Sequence, residues 1–199
     1  VRLRVATVDH GLRAESAAEA QGVIAAAEAL GCEADLLRWA GSQAQGNLQA
    51  AARDARQTLL ADWAERHGVT AIALAHTQDD QAETVLMRLL RGSGVDGLAA
   101  MSECSEAAGL PWLRPLLRVA RADLRNWLRE HGIGWVEDPS NDDIRFDRVR
   151  VRQAMAVLGL GADGLAETAT RMQDARTVLE DAEADLARRA AMLDRCGCI

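Results

Sequence analysis

Thr70-Ala-Ile-Ala-Leu-Ala75 runs directly into His76-Thr-Gln-Asp-Asp-Gln-Ala-Glu83. The first stretch is short and continuously apolar, which predicts a strand buried on both faces. The second is polar and opens a run with Val85, Leu86, Leu89 and Leu90 at helical spacing, which predicts a helix over about 80–91 facing inward through those residues. A buried strand feeding a polar turn and then a helix is the unit of an α/β sheet, and in such sheets ligands gather at the carboxyl ends of the strands.

Working back, Arg2 to Val8 alternates like a strand and Asp9-His-Gly11 turns after it. Ala20, Val23, Ile24, Ala27 and Leu30 predict a helix over about 15–30 that stops at Gly31. Glu33 to Trp39 reads as a second strand. This βαβ spacing predicts a parallel pair. Asn47 is a plausible N-cap for a helix over about 48–67, with Leu48, Ala52, Ala55, Leu59 and Trp63 on its inner side. Forward of the opening stretch, Gly92-Ser-Gly94 breaks the helix and 95–101 forms one short helix. Leu113 to Leu117 reads as a further strand, with Pro115 favouring an edge or an entry position. Helices are expected over about 121–131, 147–158 and 162–195, with a polar loop at 135–143. The fold class is therefore α/β, a parallel sheet flanked by helices, followed by a helical C-terminal extension.

The 199 residues carry 23 basic and 30 acidic side chains, a net charge of −7, and 49% hydrophobic residues. That composition is globular, and no apolar run approaches the roughly 20 residues needed to span a bilayer, so no membrane partner is expected. Every basic residue is Arg, which removes a Schiff-base or Walker lysine from these residues. With no Tyr and one Phe, a multi-aromatic base-stacking platform is not expected. Cys32, Cys104, Cys196 and Cys198 form no zinc pattern, and a reducing, cytoplasmic setting is expected. Charge is uneven: residues 114–152 hold 9 Arg against 7 acids, the one basic block of an acidic chain. Such a block can meet phosphates.

Three carboxylates, Asp79, Asp80 and Glu83, fall within five residues beside His76 and Gln81. Carboxylates at a helix start are favoured by the dipole, so capping is one reading. Coordination of Mg²⁺ by hard oxygens or binding of an ammonium group is the other. Asp9 and His10 occupy the equivalent position after the first strand. Gly92 and Gly94 fit a phosphate-binding nest or a helix stop. Arg145, Arg148, Arg150 and Arg152 follow Asp138-Pro-Ser-Asn141 and either grip phosphate or pair with neighbouring acids. Arg114, Arg118, Arg121, Arg125 and Arg129 recur every three or four residues, so helical phasing gathers the later ones into a stripe.

Several of these motifs, taken in order, resemble a known family. Val8-Asp-His-Gly-Leu-Arg13, Asn47, Ala52-Arg53-x-x-Arg56, His76-Thr-x-Asp-Asp-Gln-Ala-Glu-Thr84, Arg88-x-x-Arg91-Gly-Ser-Gly94, Arg114-Pro-Leu-Leu117 and Trp135-x-Glu-Asp-Pro-Ser-Asn141 are similar to tRNA(Ile)-lysidine synthetases over about residues 1–158. The resemblance implies an N-type ATP pyrophosphatase (adenine nucleotide alpha hydrolase-like) domain at 1–158 and a helical linker at 159–199. It implies ATP, Mg²⁺, L-lysine and a tRNA(Ile) with a CAU anticodon, with a homodimer left open. ATP would adenylate C2 of cytidine 34 and the lysine amine would displace AMP to give lysidine. His76, Asp79, Asp80, Glu83 and Arg148 would serve the reaction, with Asp79 and Asp80 on the metal. Gln81, Arg91, Arg114, Asn141 and Arg152 would bind substrate, and Asp9, His10, Arg53, Gly92 and Gly94 the nucleotide.

The family's Ser-Gly-Gly-x-Asp-Ser loop is not among these residues, so the chain looks truncated at its N-terminus and is expected to lack adenylation activity alone. Gln57 stands where the family often has Tyr, and Val149 where it often has Asn. A related tRNA thiolase and a non-catalytic α/β module that binds nucleotide or tRNA are the rival expectations. In a full-length parent, Asp80→Ala is expected to abolish lysine transfer with little loss of fold, since the cluster reads as solvated at a sheet edge.

Overall fold

A computed structural model describes residues 2–11, 16–39, 48–136 and 143–190, with the side chains of 48–50 left aside. In chain order the elements are β1 (Arg4–Asp9), α1 (Ser16–Ala29), β2 (Glu33–Arg38), α2 (Leu48–His67), β3 (Ile72–Ala73), α3 (Gln78–Leu89), α4 (Val95–Leu98), β4 (Cys104–Ala107), β5 (Leu110–Leu113), α5 (Arg121–Glu130), α6 (Asp147–Leu158) and α7 (Ala162–Ala190). They fall into two compact units, residues 1–72 with 105–113 and residues 73–104 with 114–199. This division differs from the break expected at 158. None of the described helices is long and apolar enough to cross a membrane.

In the first unit β1 and β2 pair in parallel, in register from Arg4 opposite Glu33 to Asp9 opposite Arg38. The expected parallel pair is present, and α1 packs on both strands. Its small residues Ala20 and Ala27 make the close approach, whereas Val23 and Leu30 are exposed, against expectation. In α2 the buried residues are Leu60, Ala61, Trp63 and Ala64. The Trp63 indole N–H donates to Asp35 Oδ2 at 2.9 Å, which ties the helix to β2.

The strand expected over 70–75 is reduced to Ile72–Ala73, and Ala73 and Ala75 are exposed. It pairs with β5, in a sheet ordered β3-β5-β4 separate from β1-β2. With one strand neighbour among the described residues, it is not sandwiched as a central strand would be. The strand expected at 113–117 lies earlier, at Leu110–Leu113. Ala108 and Gly109, both at positive φ (52° and 71°), form the two-residue turn that joins β4 to β5 and sets this register. Residues 114–119 instead turn, with Leu117 N donating to Arg114 O and Val119 N to Leu116 O.

The second unit is built on α3. Ala82 and Leu86 pack with Val151 and Met155 of α6, against Ala162 and Leu165 of α7. Val85 packs with Ala100 and Ala169, so the start of α7 is part of this core. Leu89 and Leu90, expected inward, are exposed because the packed face of α3 runs through Ala82, Val85 and Leu86 and ends there. The Gln81 side chain is buried and grips one residue twice: Nε2 donates to Met101 O at 2.8 Å, and Oε1 accepts from Met101 N at 3.0 Å.

Candidate functional site

Thr77 stands in extended backbone before α3 and starts the helix. Asp80, three residues on, reaches back so that Oδ2 accepts from Thr77 N at 2.9 Å and from Thr77 Oγ1 at 2.8 Å. This is the return arm of a capping box. Asp79 caps a different helix. Its Oδ2 accepts from the backbone N–H of Arg121 at 2.7 Å, the first residue of α5. Ala120, at that helix's own cap position, has no side-chain acceptor to offer, so Asp79 satisfies an orphan donor that α5 cannot satisfy itself.

Two further carboxylate oxygens, Asp80 Oδ1 and Glu83 Oε1, face arginines. Asp80 Oδ1 lies 3.5 Å from Arg121 Nη2 and 3.8 Å from Arg148 Nη1. Glu83, only 2% exposed, accepts on Oε1 from Arg152 Nε at 2.9 Å, with Arg152 Nη2 also at 2.9 Å. Arg121 Nη2 is 3.7 Å from the same oxygen. Glu83 Oε2 is buried and has no hydrogen-bond partner among the described residues. Two carboxylates of α3, those of Asp80 and Glu83, thus meet three guanidiniums from α5 and α6, while Asp79 holds the backbone of Arg121. Burial opposes ionisation of Asp80, but the two Thr77 hydrogen bonds and the Arg121 and Arg148 charges outweigh it. Its carboxyl is held below the ordinary range.

Asp79, Asp80, Glu83, Arg148 and Arg152 are therefore brought together, while the idea of a solvated cluster is corrected: the Asp80 side chain is 17% exposed and Glu83 is buried. Capping is part of the answer for both Asp residues. A metal held between Asp79 and Asp80 does not fit this arrangement. Their cap-facing oxygens are taken by N–H and O–H donors, and two guanidiniums already stand at Asp80 Oδ1, where a divalent cation would be repelled. Among the described residues no group of three or more His, Cys, Asp or Glu is arranged to hold a metal.

Arg121 was missing from the expected site although it bridges Asp80 and Glu83. Its signal was indirect: buried carboxylates require counter-charges, and Arg121 opens a helix in the basic block. His76 lies half-buried just before Thr77. Gln81 is spent on Met101 rather than turned to a ligand. Arg91 sits past the far end of α3 and pairs with Asp147 at 3.7 Å, about three helical turns from Asp80. Arg114 donates to Ser102 O at 2.8 Å. Gly92 has φ +72° and Ser93 N donates to Arg88 O, so this glycine ends α3, while Gly94 is the N-cap of α4. Asn141, with the candidate cap Asn47 and Cys196 and Cys198, lies outside the described residues.

In the first unit, Asp9 Oδ1 accepts from Gly11 N at 2.9 Å and Ser16 Oγ at 2.7 Å, which bridges the end of β1 to the start of α1. The Ser16 bond first and the Gly11 bond second hold its carboxyl below the ordinary range. His10 stands edge-on to Trp39 at 6.0 Å. Burial, then the charge of Arg56, lowers its pKa against the pull of Asp9. Arg53 is exposed on α2.

These features define a class. The chain belongs to the PP-loop domain family, whose profile matches residues 1–158. Among curated proteins it is similar to the tRNA(Ile)-lysidine synthase of Ruegeria pomeroyi, 55% identical over 183 residues that cover 90% of this chain and 44% of that protein. It is likewise similar to those of Bradyrhizobium diazoefficiens, at 46% over 90% of the chain and 50% of the relative, and Rhodopseudomonas palustris, at 48% over 89% and 52%. The chain spans about half the length of the curated relatives it matches. Among solved structures, the U34-tRNA thiolase NcsA of Methanococcus maripaludis, with its 4Fe–4S cluster, superposes with a TM-score of 0.71 over 90% of this chain and 63% of that one, at 15% identity. That likeness speaks to the fold alone.

Proposed function

We propose that this chain belongs to an enzyme that ligates lysine to C2 of cytidine 34 in the anticodon of a tRNA(Ile), using ATP. The observation that carries the reading is the 55% identity to a tRNA(Ile)-lysidine synthase across nearly the whole chain. The site is chemically compatible with it. ATP would supply the activation: the oxygen on C2 of the cytidine takes the adenylyl group with loss of pyrophosphate, and the lysine amine then displaces AMP from C2.

The residues of this chain do the rest by position and charge. Glu83 Oε2, buried and without a hydrogen-bond partner among the described residues, and Asp80 Oδ1, held only by two long contacts, are the acceptors we assign to an ammonium group of lysine. Arg148 is the more exposed of the two guanidiniums at Asp80 and stands farther from Oδ1, so it is the one that swings away to make room. The released guanidinium is then free to meet negative charge on the RNA or the leaving phosphate. Arg152 and Arg121 hold the Glu83 side chain in position. Among the described residues Cys32 and Cys104 are free thiols, and neither is part of this network.

The test is incorporation of labelled lysine into a tRNA(Ile) CAU transcript. A polypeptide that joins these residues to a Ser-Gly-Gly-x-Asp-Ser loop is expected to incorporate lysine and release AMP. The 199 residues by themselves, which hold no such run, are expected not to release pyrophosphate. ATP-dependent sulfur transfer to the tRNA, with no lysine incorporated, would replace this reading by the thiolase one.

A further inference from the structure

α5 carries an arrangement beyond the carboxylate network. Arg121, Arg125 and Arg129 are four residues apart and so share one face of the helix. Arg121, at the start, reaches Asp80 and Glu83. Farther along, the guanidinium carbons of Arg125 and Arg129 each stand 5.8 Å from the centroid of the Trp135 ring. That ring follows the turn closing α5 and is 40% exposed.

Two cations stand within cation–π range of this one indole, an arrangement that Trp127 lacks. Trp135 is held beside both arginines and keeps 40% of its surface exposed. A flat π-face framed by planar, positively charged groups suits a nucleobase with its phosphate: the base stacks on the indole or a guanidinium, and the arginines take the backbone charge. The surroundings have the matching sign, since residues 114–152 are the basic block of a chain with net charge −7. An acidic peptide would use the arginines but has no need of the ring.

We propose that Arg125, Arg129 and Trp135 form a stacking platform for an unpaired RNA base, and that the Arg121–Arg125–Arg129 face carries the strand toward the Asp80–Glu83 network. The proposal rests on the reading that RNA is the substrate, and it names residues that hold it. One Trp with two Arg does the work that the aromatic-poor composition denies to a multi-aromatic surface. Trp127 provides an internal control. It is 51% exposed on another flank of α5, and its ring partner is His131, stacked at 4.1 Å and 25°.

The experiment titrates the 199-residue protein into a fluorescent RNA hairpin with a single-stranded loop, and into the same stem as a blunt duplex. Wild type is expected to prefer the hairpin. Trp135→Ala should weaken hairpin binding about tenfold and leave duplex binding unchanged, whereas Trp135→Phe should stay within about threefold of wild type. Arg125→Gln with Arg129→Gln should lower both affinity and the salt dependence. Trp127→Ala should bind as wild type does. Far-UV circular dichroism reports whether each variant is folded. Equal hairpin binding by wild type and Trp135→Ala overturns the platform, as does an equal loss in Trp127→Ala or no preference for the hairpin over the duplex. Failure of lysine incorporation alongside Trp135-dependent hairpin binding would sink the ligase reading and leave the platform standing.

Discussion

Asp80 turns one oxygen back to Thr77 and the other toward Arg121 and Arg148, so its removal takes away a helix cap and two charge partners together. Asp80→Ala is therefore expected to cost about 1–2 kcal/mol of stability, measured as a shift in the urea midpoint, and, on the proposed function, to abolish lysine transfer in a polypeptide that also carries the Ser-Gly-Gly-x-Asp-Ser loop. This departs from the expectation of an intact fold, which assumed a solvated cluster. Asp80→Asn keeps an acceptor for Thr77 and should recover most of the stability while leaving the transfer defect. An unchanged midpoint in Asp80→Ala would contradict the capping geometry. The lesson for reading such clusters is that capping and chemistry are not exclusive: a carboxylate has two oxygens, and here one is structural.

At the scale of elements, the β4–β5 hairpin holds a local cost. Ala108 sits at φ +52° in its turn, a left-handed conformation that a Cβ disfavours by about 1 kcal/mol. Ala108→Gly is expected to raise the thermal midpoint, with the sign deciding the matter. A lowered midpoint would mean that the methyl group packs usefully or that glycine's extra unfolded freedom dominates. The same turn explains the misplaced strand. Ala-Gly is a weaker hairpin signal than Asn-Gly or Asp-Gly, so Leu110 to Leu113 does not stand out in the sequence beside the apolar run that follows it. The helices were easier to read. α3, α5 and α6 begin within about two residues of expectation because periodicity and breakers such as Gly92 and Gly159 lie close together in sequence.

For the whole molecule, titration acts in one direction. Asp9, Asp35, Asp80 and Asp143 all have carboxyls held below the ordinary range, Asp35 chiefly by the Trp63 hydrogen bond and Asp143 by Arg145. A lowered carboxylate pKa means that the unfolded chain takes up protons first as pH falls. Its stabilisation is complete above about pH 4 and is lost as pH drops through the folded values. His10 is also lowered, so its native state favours the neutral ring. That contribution is present above about pH 6.5 and shrinks as pH falls below it. Urea midpoints measured against pH should thus decline in a shallow step below about pH 6.5 and a steeper one below about pH 4. His10→Gln should remove the first step only, and a wild-type profile flat between pH 7 and 5 would contradict the burial of His10.

What the chain determined alone is local: the parallel β1–β2 unit, the helix positions, and a knot of Asp79, Asp80 and Glu83 at a strand-to-helix junction. Each is written in neighbours within a helical turn or a strand alternation, where periodicity and capping chemistry operate. Only the tertiary structure decided the charge balance of that knot. Arg121 and Arg152 lie 38 and 69 positions from Glu83, and no short-range pattern links them. Arg152 converges because Ala82, Val85 and Leu86 bury one face of α3 against α6 and α7, with Val151 and Met155 drawn in from α6, and Arg121 because Asp79 holds the first backbone N–H of α5. Burial then makes an unpaired carboxylate costly, so the fold had to supply guanidiniums to it. That requirement, invisible as spacing, converts an acidic motif into a paired network with one oxygen left over.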